Sequence, residues 1–209
     1  MKSSFAKYAI ALSATAVMGN AIAANSFTSE AAFTSALSGA SITVESFESA
    51  PGGTSTSMIF PNVTVSCSGS TYCPGFFGVS GFTPTDGVQG VFFATPDTIT
   101  FSFSAPVTAF GIDVSGLGTA GATDFSGSLS NGASATFFSN YFGNNVGSLF
   151  VGFVDKSGFS SVTFSGTQGD DGIYFDRMQI AAVPEPESYA MLMAGLGLMG
   201  LIARRRKIA

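Results

Sequence analysis

Apolar residues at every second position, with small hydroxyl residues between them, restrict the folds open to this chain more than any other feature. Ile99, Phe101 and Phe103 fall on one face with Thr and Ser opposite. Phe110, Ile112 and Val114 repeat the pattern, as do Val162 and Phe164. Strand side chains alternate between two faces, whereas a helix needs a period near 3.6, so this spacing specifies half-buried strands. Strands are expected at 42–47, 63–67, 91–94, 98–103, 107–114, 124–129, 133–139, 149–154, 159–165 and 173–180. Asn131-Gly132, Asp86-Gly87 and Asp171-Gly172 punctuate them with dipeptides that favour tight turns between antiparallel strands. The expected fold is all-β, an antiparallel two-sheet sandwich of jelly-roll or similar type. Its core must be filled mainly by phenylalanine, of which there are 22 against no tryptophan. One short helix is expected before the strands, over 26–37. Ser26 or Thr28 offers an N-cap, Phe33 and Leu37 stand one turn apart, and Ser38-Gly39 stops it.

The two ends of the chain follow other rules. Lys2 and Lys7 precede an apolar stretch at 8–18, and Ala21-Ile22-Ala23 then supplies small residues for cleavage between Ala23 and Ala24. That order is a secretory signal peptide over 1–23. At the other end stand Val183-Pro184-Glu185-Pro186-Glu187-Ser188, an uncharged apolar run at 189–203, and Arg204-Arg205-Arg206-Lys207. As a helix the run would reach about 22 Å at ~1.5 Å per residue, short of a ~30 Å hydrocarbon core. Tyr189 and the snorkelling basic side chains cover part of the difference, and four positive charges hold that end in the cytoplasm. The segment therefore reads as a transmembrane helix with the preceding domain, 24–183, on the outer side.

Together, the Pro184-Glu185-Pro186 triplet, the Gly-rich apolar segment Ala194-Gly195-Leu196-Gly197-Leu198-Met199-Gly200 and the basic cluster Arg204, Arg205, Arg206 and Lys207 resemble the PEP-CTERM sorting signal. This tail is also catalogued as an ice-binding-protein C-terminal domain. The resemblance covers about 25 residues, 184–209. It implies a Gram-negative bacterium, an inner-membrane stage with the domain on the periplasmic side, and recognition by an exosortase-type membrane protease-transpeptidase. Clipping near Pro184 to Pro186 and delivery to the cell surface or extracellular matrix would follow, in an exopolysaccharide or biofilm setting. The order of helix, Ile42-Thr43-Val44-Glu45, Phe-rich strands and a last strand ending at Ile180 is also similar to the galactose-binding-like and carbohydrate-binding sandwiches that commonly precede such tails.

Between residues 24 and 183 there are two basic residues, Lys156 and Arg177, against eleven acids. No basic patch can form there to neutralise phosphates, which excludes nucleic acid as a partner. The chain contains no histidine, which removes Ser-His and Cys-His nucleophiles and the common zinc sites. Cys67 and Cys73 are its only cysteines. In an exported domain they read as a structural disulfide, stabilising by less than ~3 kcal/mol because the loop is small. Asn62-Val63-Thr64 has the letters of a glycosylation sequon, but a bacterial origin argues against its use. Arg177 is expected to pair with a nearby acid.

Three chemistries remain. Calcium takes six to eight oxygens, and neighbouring first and last strands could bring together Glu45 and Glu48 with Asp170, Asp171 and Asp176. The same acids read equally as surface charge around a polar turn. Glycan binding by loops at one end of the sandwich could use Tyr72, Tyr141 and Phe142 for stacking and Asn140, Asn144 and Asn145 for hydrogen bonds, although 140–145 also reads as a plain hairpin loop with one packed aromatic. Hydrolysis by Glu45 with Glu48, or Asp113 with Asp124, would need paired carboxylates, yet acids three apart on a strand point to opposite faces. The expectation is therefore a non-enzymatic surface or matrix protein, structural or adhesive. A calcium-dependent carbohydrate-binding module is the alternative, with a polysaccharide hydrolase behind it.

Overall fold

A computed structural model describes residues 24–49, 56–73, 75, 78–80, 84–143, 147–182, 194–196 and 199. Its elements in chain order are β1 (Asn25–Phe27), α1 (Glu30–Ala36), β2 (Thr43–Glu45), β3 (Ser57–Ile59), β4 (Val63–Ser68), β5 (Gly78–Ser80), β6 (Gly90–Ala94), β7 (Thr98–Ser115), β8 (Thr123–Leu129), β9 (Ser134–Tyr141), β10 (Leu149–Gly166) and β11 (Gly172–Ala182). Every strand pairing is antiparallel.

The sandwich arises by folding one continuous sheet. β7 and β10 each span 18 residues and take part in both layers. Over 98–103, β7 lies between β4 and the end of β10, and β8 and β9 extend that layer. Over 107–115, β7 lies between β11 and the start of β10, and β6, β5 and β1 extend the other layer. The two strands bend together, where their register shifts between Val154 and Ser161. Pro106, exposed at that bend, falls where its missing N–H costs no ladder hydrogen bond. The alternation in the sequence therefore shows four separate strands where the chain makes two long bent ones.

The phenylalanines of the two layers meet face to face. Phe101 from the first layer packs on Phe110 and Phe175 of the second, at ring-centroid distances of 5.6 and 5.4 Å. Phe164 touches Phe110, Phe125, Phe137 and Phe175 as well as Phe101. Every one of these rings but Phe137 is fully buried. Burying each such side chain contributes roughly 1.5–3 kcal/mol.

The first element differs from expectation. Residues 25–27 form β1 along the start of β10, and the helix begins only at Glu30. Its N-cap is Ser29, whose hydroxyl accepts from the Ala32 N–H. Phe33 is the helix's buried residue. It lies with Phe150 over Gly111 and Gly152, which are partners across β7 and β10. A Cβ on Gly111 would stand 2.6 Å from the Phe150 ring and one on Gly152 would stand 3.0 Å from Phe33, so this glycine pair is the seat on which α1 docks.

The transmembrane helix expected over 189–203 falls almost wholly outside the described residues. Among the described residues no helix is long and apolar enough to cross a membrane. Of that segment only 194–196 and 199 are described, as helix. The signal peptide with Ala23, and the residues Pro184, Glu185, Pro186, Arg204, Arg205, Arg206 and Lys207, lie outside the described residues; Ala24 is within them. Because Phe164 joins both layers, Phe164→Ala is expected to cost about 3–5 kcal/mol, read as a lower denaturation midpoint in urea.

Candidate functional site

Carboxylates organise the loops of this sandwich. With few cations available, they take backbone N–H groups as partners, a charge-assisted hydrogen bond stronger than a neutral one. Buried Asp97 accepts from the N–H groups of Thr71, Tyr72 and Cys73 at 3.3, 2.7 and 2.6 Å. It thereby clamps the loop closed by the Cys67–Cys73 disulfide, which is present as expected. Gly69 lies against this carboxylate so closely that any side chain there would displace it. Asp171, fully buried, accepts from the N–H groups of Gly118, Thr119 and Ala120. Asp124 holds Ser139 and Asn140, and Asp155 holds Asn131 and Ser157.

The proposed calcium ligands belong to this scheme. β2 and β11 are neighbours, with Glu45 opposite Met178. The acids near them converge on a loop of amides: Asp176 accepts from Thr85 and Asp86, and Glu48 from Val88 and Gln89, at 2.6–3.0 Å. Glu45 accepts from the Phe47 N–H two residues on. Asp170 sits in a turn of left-handed backbone, φ +63°. Among the described residues no group of three or more acid or cysteine side chains is arranged to hold a metal ion. The acids of one proposed hydrolytic pair have separate partners: Asp113 binds Arg177 while Asp124 holds the end of β9.

Arg177 does pair with acids, and with two of them. A β-bulge between Asp176 and Gln179 and a φ of +48° turn it out of the ladder. Its guanidinium donates twice to Glu30 of α1, at 2.6 and 2.8 Å, and twice to buried Asp113 of β7, at 2.9 and 3.0 Å. Donating to Glu30 and Asp113 pushes the Arg177 pKa up. The hydrogen bond from Arg177 holds the Glu30 carboxyl below its ordinary range against the opposing effect of burial, with Gln179 helping. Burial pushes the Asp176 carboxyl up, in spite of the amides that favour its charged form.

Of the end-loop aromatics, Tyr141 packs inward on Phe138 at 5.2 Å, while Phe142 is 71% exposed. Asn144 and Asn145 lie outside the described residues. A second aromatic group gathers elsewhere; of its members only Tyr72 is among the residues expected to bind glycan. Phe92 and Tyr174 are partners across β6 and β11, as are Ala94 and Gly172. The neighbours of these residues along each strand, Val91, Phe93, Ile173 and Phe175, point into the core, so this set faces outward. Tyr72, from the clamped disulfide loop, and Asp170 complete a cleft of about 340 Å³ over them. The Phe92 and Tyr174 rings lie 5.7 Å apart with planes inclined by only 30°, forming a platform. Thr95 fixes the rim: its N–H donates to the Asp171 carbonyl, and its own carbonyl accepts from the Asp170 N–H. Period-two spacing places Phe92 and Tyr174 on outward faces; nothing in the sequence brings Tyr72 beside them.

The PEP-CTERM protein-sorting motif matches residues 182–207, so the chain carries that sorting signal. No curated protein sequence matches the chain. Among solved structures, it is similar to the C-terminal family 22 carbohydrate-binding module of Clostridium thermocellum Xyn10B (11% identity, 68% of this chain and 92% of that one, TM-score 0.37). It is also similar to a carbohydrate-binding module, TmCBM61, in complex with β-1,4-galactotriose (11% identity, 56% and 88%, TM-score 0.34). A third likeness is to the catalytic domain of a GH87 α-1,3-glucanase, at 16% identity, 71% of this chain and TM-score 0.36. This chain spans only 29% of that glucanase. These likenesses concern the β-sandwich and give no residue a role.

Removing the Asp97 acceptor leaves three loop N–H groups without it, so Asp97→Ala is expected to cost about 2–3 kcal/mol, measurable by urea denaturation with the disulfide intact. Glu30 has its pKa lowered by folding. Its contribution is therefore present above its unfolded pKa of about 4.3 and is lost as pH falls through the lower folded value. Asp176 acts oppositely, costing stability as pH rises from the ordinary carboxyl range through its raised value. Glu30→Gln is expected to lower Tm at pH 7 and to flatten the loss on the acid side, as followed by thermal melts between pH 2 and 7.

Proposed function

We propose that this chain is an exported, exosortase-processed protein that acts at the cell surface or in the extracellular matrix as a structural or adhesive component, without catalysis. The sorting signal at 182–207 carries the reading. In this account the segment 189–203 holds the sandwich at the periplasmic face of the inner membrane, with Arg204 to Lys207 in the cytoplasm. An exosortase-type protease-transpeptidase clips near Pro184 to Pro186 and passes the domain outward.

The acids described above support a binding role over hydrolysis. Glycosidic hydrolysis needs two carboxyl groups facing a common bond, one able to give a proton. Here Asp97, Asp171 and Asp176 accept hydrogen bonds from loop groups, Asp124 and Asp155 from groups on β9 and β10, and Asp113 and Glu30 are bound to Arg177. Extracellular polysaccharide, the abundant polymer of such a matrix, is the partner that fits a neutral-to-acidic, hydroxyl-rich surface.

Cell fractionation tests the delivery. The wild-type protein is expected clipped and in the surface or matrix fraction, and released into the medium when exopolysaccharide synthesis is blocked. A chain with Pro184, Glu185 and Pro186 all replaced by Ala is expected to remain full-length in the inner membrane. An identical distribution of the two proteins would refute it.

A further inference from the structure

We infer that the cleft between Tyr72, Phe92 and Tyr174 is the glycan-binding site of this protein and takes a sugar residue of a neutral polysaccharide. The inference narrows the adhesive reading above to one site and one ligand class. Its size, its largely apolar floor and its few polar groups are those of small-ligand sites. The shape of the floor selects the ligand. Phe92 and Tyr174 offer ring faces inclined by 30°, from register-paired positions on adjacent strands. Such a platform stacks against the flat C–H face of a pyranose, and the Tyr hydroxyl is the polar tip of an otherwise apolar body.

The rim selects it further. Asp170 can accept hydrogen bonds from sugar hydroxyls. Neither basic residue of the domain lines the cleft: Arg177 is bound to Glu30 and Asp113, and Lys156 lines a different depression beside Leu37. An anionic polymer would meet Asp170 and a domain of eleven acids with no cation to receive it. A quaternary ammonium group would suit three aromatics and an acid, but it is best enclosed by rings at steep angles, which the Phe92–Tyr174 pair lacks.

The site is also held ready. Tyr72 is fixed by the disulfide and by the amide bonds to Asp97, and Asp170 by the Thr95 turn. Little ordering is left to be done when a ligand arrives, which favours affinity. Gly172 keeps the floor open. Among the described residues a Cβ there would meet nothing closer than the Tyr174 hydroxyl at 3.8 Å, so a side chain at this position enters the cleft without meeting backbone.

The test is affinity electrophoresis of the full chain in a polyoxyethylene detergent, which has no sugar headgroup. The gels contain soluble glucan, xylan or galactan, with alginate as the acidic polymer and choline as competitor. At least one neutral polysaccharide is expected to retard the protein, with alginate giving no retardation and choline no competition. Tyr72→Ala, Tyr174→Ala and Gly172→Val are each expected to weaken binding about tenfold or more, a difference of ~1.4 kcal/mol, with Gly172→Val keeping the wild-type melting temperature. The inference is overturned if no neutral polysaccharide binds, if alginate binds or choline displaces the glycan, or if Gly172→Val binds as wild type. Loss of binding in Phe142→Ala with the cleft variants unaffected would move the site to the end loop. Because binding is read on purified protein, its failure leaves the delivery reading standing, and misdelivery in cells leaves the cleft standing.

Discussion

Two strands bend, and the rest of the molecule is arranged around that bend. β7 and β10 pair along almost their whole length, and each passes from one layer into the other near Pro106 and near residues 155–160. A sheet that turns back on itself in this way brings its own apolar face into contact with itself. Phe101, Phe110, Phe164 and Phe175 then close the interior without any separate second sheet. The shorter strands are extensions on either side of this folded pair. The bend also leaves an outer face on β7, β10 and β11, where α1 sits on its glycine pair and Arg177 ties Glu30 to Asp113.

Acidity has an unusual use in this framework. A domain with eleven acids and two bases cannot neutralise its carboxylates by ion pairs. It sets them against backbone N–H groups that strand ends and loops leave unpaired, and so meets two needs with one contact. Asp97 and Asp171 each immobilise a loop of their own, and Asp176 and Glu48 together hold the loop at 85–89. Long connections between strands, which would otherwise be mobile, become fixed parts of the surface. The aromatic cleft depends directly on this arrangement, because one of its walls stands on the loop that Asp97 clamps.

How far the sequence could be read depended on the range of the interaction. Strand positions follow from alternation along a few residues, and the helix from a single turn's spacing, so these were legible within a residue or several. Short strands such as β3 and β5 escaped because three residues carry no period. The fusion of 98–103 with 107–114 escaped because Ser104, Ala105 and Pro106 look like a break, and only their place at a shared bend makes them continuous. β2 and β11 are neighbours, and Glu48 and Asp176 meet one loop, but Asp170 and Asp171 serve turns elsewhere. The partners of these acids were not legible, since an N–H donor exists at almost every residue and leaves no mark on composition.

The sequence by itself determined the class of fold and the presence of a sorting signal. Alternation needs only local geometry, and a sorting signal is read as a linear string by other proteins, so both survive without knowledge of the folded chain. Tertiary structure alone decided what the outward residues form. Tyr72, Phe92 and Tyr174 come from three distant parts of the chain and are joined by strand register, a disulfide and a buried carboxylate. Those are long-range contacts, and no spacing in the sequence encodes which outward side chains they bring together.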